Sequence, residues 1–183
     1  MESIYRYNLP ENLIAKKPAS PRDSSRLLIY DVARDEIRTD VFRNVAKYLP
    51  PNSVLVMNQS KVLPVRLICD GNLELLILLG ESGENVLKAI ANRRLYAGEE
   101  VYFGENYKLK VLDASFKVFQ FAPNFLLADL PEILKKHGTT PIPKYIEGSP
   151  LTESEMRKKY QTIFAKVEGS AAAPTASLHF TPR

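Results

Sequence analysis

Between Val62 and Phe121 the chain is a succession of short β-prone runs: VLPVRLIC, LELLILL, VLKAIA, VYF, YKLKVL and FKVFQF. Turn-forming residues separate many of them, at Asp70 and Gly71, at residues 81–83, at Ala97 and Gly98, and at residues 104–106. Runs of strand length at this close spacing, broken by Gly, Asn and Asp, suggest a small all-β barrel or sandwich. No repeat of constant period and no low-complexity tract accompanies them.

The flanks read differently. Residues 12–16 could form a helical turn opened by Pro10 and halted before Pro18. Residues 27–30 read as a strand. Asp40 can cap a helix whose face carries Val41, Phe42, Val45, Tyr48 and Leu49, and Pro50 and Pro51 stop it. Residues 53–57 then read as a buried strand and NQSK, residues 58–61, as a turn. Past Pro123, Asp129 and Pro131 open a helix through His137, with Gly138 as terminator. Lys135, Lys136 and His137 complement its dipole, and His137 reads as a capping residue. TTPIPKYIEGSP is an extended, proline-punctuated crossing. Thr152 and Glu155 form a capping box for a short helix to about Lys159, YQTIFAK is β-prone, and a small-residue loop follows. Helical signals at both ends around a β-rich middle imply an incomplete α/β outer domain with an inserted barrel-like domain. The expected boundaries are 1–62 for the first outer segment, 63–122 for the insert and 123–183 for the second outer segment.

With 45% hydrophobic and 25% charged residues among 183, the chain is globular in composition and long enough for one sizeable domain or two small ones. Cys69 is the single cysteine, so an intrachain disulfide is excluded, and its apolar surroundings mark it as a small buried hydrophobe. The N-terminus has no apolar core of the secretory kind, and no apolar run approaches membrane-spanning length. A cytoplasmic protein without a membrane partner is expected. Neither His137 and His179 nor Cys69 falls at metal-ligand spacing, so no metal site is expected. The net charge of +4 suits an anionic partner such as RNA without requiring one.

The most specific region runs from Lys159 to Arg183, KYQTIFAKVEGSAAAPTASLHFTPR. It resembles the signature of the S-adenosylmethionine:tRNA ribosyltransferase-isomerases of queuosine biosynthesis, YQTVYA followed by G-S/A-V-A-A-P-T-A-G-L-H-F-T. Residues 9–31, 49–67 and 141–146 are similar, in order, to that family's earlier stretches, and the resemblance is weakest in the β-rich middle. Gln59, Ser60 and Lys61 replace the family's Asp, Thr and Arg; Asn52 and Ser177 each replace a glycine; and Lys144 replaces a proline. The family's later motifs, T-L-H-V-G-x-G-T-F and H-x-M-H-x-E, are absent. A separate C-terminal half therefore joins the partners to be considered.

The resemblance implies transfer and isomerisation of the ribosyl group of S-adenosylmethionine onto 7-aminomethyl-7-deazaguanine at the tRNA wobble position, with release of adenine and methionine. S-adenosylmethionine is then a consumed substrate and no cofactor is expected. In keeping with that, GESG at residues 80–83 is a poor match for a methyltransferase glycine loop and reads as a hairpin turn. His179 is the one signature side chain able to exchange protons near neutral pH, which makes it a candidate acid/base or adenine contact; a structural histidine is the alternative. Tyr160 could stack on an unstacked base and Gln161 and Thr162 could bond a base edge, although each could equally be packing. Ala173, Pro174 and Thr175 shape a loop that lets backbone approach substrate, and Phe180, Thr181 and Asn58 complete the substrate-binding candidates. The loop is expected to wall the cavity that His179 faces.

For tRNA, the candidates are Lys61, Arg66, Lys135, Lys136, Lys144, Arg157, Lys158 and Lys159. Arg22 and Arg26 could also meet phosphate, with an ion pair to Asp23 as the bland alternative for Arg22. A competing reading is a non-catalytic remnant or RNA-binding module, motivated by the missing motifs and the Gln-Ser-Lys change.

Overall fold

Alternation of side chains decides the central architecture. In the strand Leu73–Ile77 (β5), Leu73, Leu75 and Ile77 are buried while Glu74 and Leu76 face outward. The preceding strand Arg66–Cys69 (β4) turns Leu67 and Cys69 to the same interior. The computed structural model of the chain describes residues 6–80, 85–114, 117–146 and 148–182.

Within them, β4 and β5 join Leu87–Ala91 (β6), Glu100–Phe103 (β7), Tyr107–Asp113 (β8), Val118–Pro123 (β9) and Gly138–Thr139 (β10) in one antiparallel sheet. The order across it is β10-β4-β5-β6-β9-β8-β7. The sheet curls until β4 approaches β7, and β8 accommodates the bend with a bulge between Val111 and Asp113. Phe103, Phe121, Leu75 and Leu109 fill the concave side. The helix Leu130–His137 (α1) adds Leu130, Ile133 and Leu134 to that core. The expected barrel-like sheet is thus present as a curled half-barrel. α1 packs on its core and β10 pairs with its edge strand β4. The hairpin read at residues 80–83 falls largely outside the described residues.

Gly138 does follow α1, but for a different reason from the one its position suggests. Its backbone is extended, at φ −77°, and a Cβ there would lie 1.8 Å from the Pro64 carbonyl oxygen. Close approach of β4's lead-in, rather than a left-handed turn, demands glycine. His137 packs edge-on against Phe103 and Tyr107 instead of capping by a hydrogen bond. Burial pushes the Cys69 thiol up to about 12, so it stays protonated and inert.

The flanks form smaller pieces. Arg26–Asp31 (β1) and Glu36–Val41 (β2) make an antiparallel hairpin. Ser60–Val62 (β3) pairs in parallel with Val167–Ser170 (β11), linking the two flanks. The early turn is a 3-10 turn over Glu11–Leu13. Asp40 lies in β2, which ends at Val41, and the segment after it is a 3-10 helix, Phe42–Tyr48, with no fully buried residue. The Asp40 carboxylate still organises it, accepting from Val41 N (2.7 Å), Asn44 Nδ2 (2.8 Å) and Tyr48 OH (2.6 Å).

Residues 53–57 correct the sequence reading: they are not a strand, and Val54 and Val56 are 85% and 93% exposed. A β-prone run with apolar residues on both faces needs a ladder partner, and none of the described strands pairs with it. YQTIFAK likewise stays irregular, with β11 beginning after it. The Thr152 and Glu155 capping box is formed as expected on Glu153–Lys159 (α2). Among the described residues the outer elements are therefore one hairpin, one parallel pair and short helices.

Candidate functional site

The outward residues of β4, β5 and β6 do not all face open solvent. Arg66, Glu74, Leu76, Ile90 and Asn92 form one wall of a cleft of about 800 Å³. The crossing segment supplies Pro141, Ile142, Pro143 and Ile146, α2 supplies Met156, and the small-residue loop supplies Ala171, Ala172, Ala173 and Thr175. Each wall has an identifiable support. Ile146, Tyr160 and Leu178 form a small buried cluster on which Ile142, Met156 and Ala173 pack. Glu153 Oε1 accepts from Thr140 N and Thr140 Oγ1, both at 2.9 Å, and from Arg157 Nε at 2.8 Å, tying α2 to the end of β10.

The loop 171–175 follows β11, and its small side chains leave room at the mouth. Ser170 Oγ donates to the Ala172 carbonyl and accepts from Ala172 N, and a 3-10 turn, Thr175–Ser177, starts beyond Pro174. Of the loop's substrate-binding candidates, Ala173 and Thr175 line this cleft.

His179 is elsewhere. Its Nδ1 lies 3.1 Å from Ser25 Oγ, its ring packs 5.2 Å from Phe42, and it does not line the cleft. Phe180 packs edge-on against Phe42 and Phe164, and Thr181, half-buried, follows. This part of the signature fastens the second flank to the first. Tyr160 is buried, its phenol pushed up by desolvation, and so presents no face to a base. Gln161 is a lock: its Nε2 donates to the Val62 carbonyl at 2.6 Å and its Oε1 accepts from Val62 N at 3.0 Å. Thr162 is buried and accepts from Phe164 N, and Asn58 Oδ1 accepts from Ser60 N in a local turn.

Among the basic candidates, Arg66 belongs to the cleft. Its Nε lies 3.1 Å from Glu74 Oε2 and its Nη2 2.5 Å from Glu74 Oε1. Arg157 is committed inward, donating to the carbonyls of Lys135 (2.8 Å) and Gly138 (2.5 Å). Lys61 pairs with Glu168 at 3.0 Å. Lys135, 3.5 Å from Glu132, and Lys136 and Lys158 are exposed, whereas Lys159 is half-buried. The Lys144 side chain lies outside the described residues. Arg22 neither pairs with Asp23 nor stands free: it donates to the carbonyls of Gln161 (2.5 Å), Lys159 (2.9 Å) and Lys158 (3.3 Å), crowning the end of α2. Burial lowers its pKa. Asp23 is buried with Arg43 3.9 Å away, and Arg26 is exposed at the head of β1.

Glu74, Asn92, Ile142 and Met156 are cleft residues that the sequence reading missed. Glu74 carried a signal: it is the one charge in the run LELLILL, eight residues after Arg66 across the turn at residues 70–72. Among the described residues no group of three or more His, Cys, Asp and Glu converges as a metal site.

The chain is thus a curled antiparallel half-barrel sheet joined to flanking segments, with an external cleft walled on one side by the loop 171–175. The family model described as Queuosine biosynthesis protein matches residues 2–183, and the chain belongs to that family. It is similar to the S-adenosylmethionine:tRNA ribosyltransferase-isomerase of Rubrobacter xylanophilus, 40% identical over 97% of this chain and 52% of the relative. The enzyme of the same name from Caldanaerobacter subterraneus subsp. tengcongensis is 38% identical over 98% of this chain and 53% of the relative. The chain thus spans about half the length of these curated relatives. A crystal structure of the S-adenosylmethionine tRNA ribosyltransferase from Thermotoga maritima is 29% identical over 79% of this chain and 53% of that one, with a TM-score of 0.35. That superposition is too loose to carry the fold. No helix among the described residues is long and apolar enough to cross a membrane.

Proposed function

We propose that this chain supplies the S-adenosylmethionine-binding part of a tRNA ribosyltransferase-isomerase in queuosine biosynthesis, with the cleft between β4–β6 and the loop 171–175 as the substrate site. The observation that supports the reading is the loop itself: Ala171, Ala172, Ala173 and Thr175, within the stretch that resembles the family signature, form a wall of the cleft. Under this reading S-adenosylmethionine is consumed in the cytoplasm and no resident cofactor takes part. Ala173, Pro174 and Thr175 shape the mouth, while Tyr160, Gln161 and Thr162 hold the walls in place rather than touch the base. His179 would act as a positioning residue between the flanks, with any proton transfer assigned to another group. The exposed Lys135, Lys136 and Lys158 offer charge for tRNA phosphates.

Residues 1–62 and 123–183 would form two segments of one outer domain around the insert. The β3–β11 pair and the contacts of Arg22 and His179, which join the flanks, support that arrangement. Its completion would require a polypeptide matching the other half of the relatives' length.

The test is adenine release from S-adenosylmethionine with precursor-bearing tRNA, using this chain with and without that other half supplied in trans. Release only with both is expected. No release from the pair, under conditions where a full-length relative turns over, overturns the reading. Retained tRNA binding without release would then favour the RNA-binding module suggested by the net positive charge.

A further inference from the structure

The cleft has an unusual charge arrangement for a site in a nucleic-acid enzyme. Its described lining holds two charged side chains, Arg66 and Glu74, and they neutralise one another. The two hydrogen bonds between them are bidentate, and each side chain keeps 31% of its surface exposed. The pair consumes two of the five guanidinium N–H groups and one acceptor site on each carboxylate oxygen, so both partners retain hydrogen-bonding capacity.

The other groups around the pair are fixed. Asn92 Oδ1 accepts from Glu74 N and its Nδ2 donates to the Asn72 carbonyl. Thr139 Oγ1 donates to the Arg66 carbonyl. Beyond them Leu76, Ile90, Ile142 and Met156 make an apolar stretch of wall, and the hydroxyls of Ser149 and Thr175 also line the cleft.

This arrangement selects by charge pattern. A lone anion such as phosphate that reaches Arg66 also meets the Glu74 carboxylate, and a lone cation that reaches Glu74 meets Arg66. A ligand carrying both charges side by side can offer an anion to the guanidinium and an ammonium to the carboxylate at once. We infer that the Arg66–Glu74 pair is a subsite for the α-ammonium and α-carboxylate of an amino acid whose side chain runs along the apolar wall. The inference rests on the function proposed above, under which the ligand is the methionine end of S-adenosylmethionine. It also removes Arg66 from the tRNA-phosphate set.

Calorimetric titration of the 183-residue chain tests this with four probes: L-methionine, S-adenosylmethionine, 3-(methylthio)propylamine, which lacks the carboxylate, and 4-(methylthio)butanoate, which lacks the ammonium. The two ligands with an intact amino-acid head group, methionine and the additionally sulfonium-charged S-adenosylmethionine, should bind, and each single-charge analogue should bind more weakly than methionine by roughly tenfold or more, because it leaves one partner of the pair facing an unmatched charge. Glu74→Gln should weaken methionine by a similar factor while erasing the preference over 4-(methylthio)butanoate, a reversal that a merely structural role would not produce. Arg66→Lys, which keeps the charge but loses the fork, should weaken methionine and leave the analogue ranking in place. If either variant unfolds, the probe series on the unaltered chain still decides.

Analogues that bind as tightly as methionine overturn the subsite, and so does the absence of any methionine or S-adenosylmethionine binding. The reconstituted adenine-release assay judges the wider function separately. Release without zwitterion selectivity would sink this inference and keep that reading.

Discussion

The curled sheet and the flanks solve the same burial problem with different success. In the sheet, Leu75, Leu109 and Phe121 have no measurable exposure, and every strand finds a neighbour. In the first flank, β-prone residues of similar character stay open: Leu28 is 65%, Ile37 67% and Val56 93% exposed. The two regions do not differ in hydrophobicity so much as in cover: Leu28 and Ile37 are paired in the β1–β2 hairpin yet stay exposed, and residues 53–57 pair with none of the described strands. A strand stabilises only as part of a ladder with a covered face, and a curled sheet covers its own.

The most decisive way to break this contrast is to shave both regions equally. Phe121→Ala should cost about 3–5 kcal/mol of stability through lost transfer energy and the cavity left in the sheet. Val56→Ala should change stability by less than about 0.5 kcal/mol, because an open side chain has little to lose. Urea unfolding of the two variants measures both. Equal losses would mean that residues 53–57 are covered in solution.

A smaller effect should come from Gly138→Ala. The added methyl group meets the Pro64 carbonyl and the Leu134 carbonyl, so β10 must shift from β4, at a cost of roughly 1–3 kcal/mol. Amide exchange at Thr139 and Leu67 should accelerate. Protection equal to that of the unaltered chain would show that the contact is looser than the geometry implies.

These two regions also mark how far a sequence can be read. The alternation of Leu73, Leu75 and Ile77 announced a one-sided strand, and Thr152 with Glu155 announced a helix start, because both signals are complete within a few residues. Residues 53–57 gave an equally clear β signal that was misleading, since a strand is a property of two segments. The cleft was half legible. The motif pointed to the loop 171–175, yet Glu74 was hidden among leucines until the β4–β5 register set it across from Arg66. Arg22 and Gln161 were unreadable as structural residues, for their partners lie 139 and 99 positions away.

Those long-range ties sharpen the comparison where the flanks hold together. Gln161→Ala removes both bonds to Val62, which is itself buried, and should cost about 1–3 kcal/mol. Lys61→Ala, which breaks the exposed pair with Glu168 on the same β3–β11 junction, should cost no more than about 1 kcal/mol. Thermal unfolding of the two variants distinguishes them. A larger loss from Lys61→Ala would mean that surface charge, and not the buried amide, joins the flanks.

The smallest expected effect is local and set by pH. Hydrogen bonds from Tyr48, Asn44 and the Val41 amide hold the Asp40 carboxyl at about 2, below its ordinary 3.8. A folded-state value below the unfolded one means that the network's contribution is complete above about pH 4 and declines as the pH falls through 2. Within that window the 3-10 helix Phe42–Tyr48 should loosen while the curled sheet, whose core holds no carboxylate, keeps its amide protection. Carboxyl carbon shifts of Asp40 followed by NMR should titrate with a midpoint near 2, and Asn44→Ala together with Tyr48→Phe should return it toward 3.8. A midpoint near 3.8 in the unaltered chain would show that Asp40 does not organise this turn, and the 3-10 helix would then rest on its other ties, the Phe42 amide on the Ser25 carbonyl and Arg43 beside Asp23.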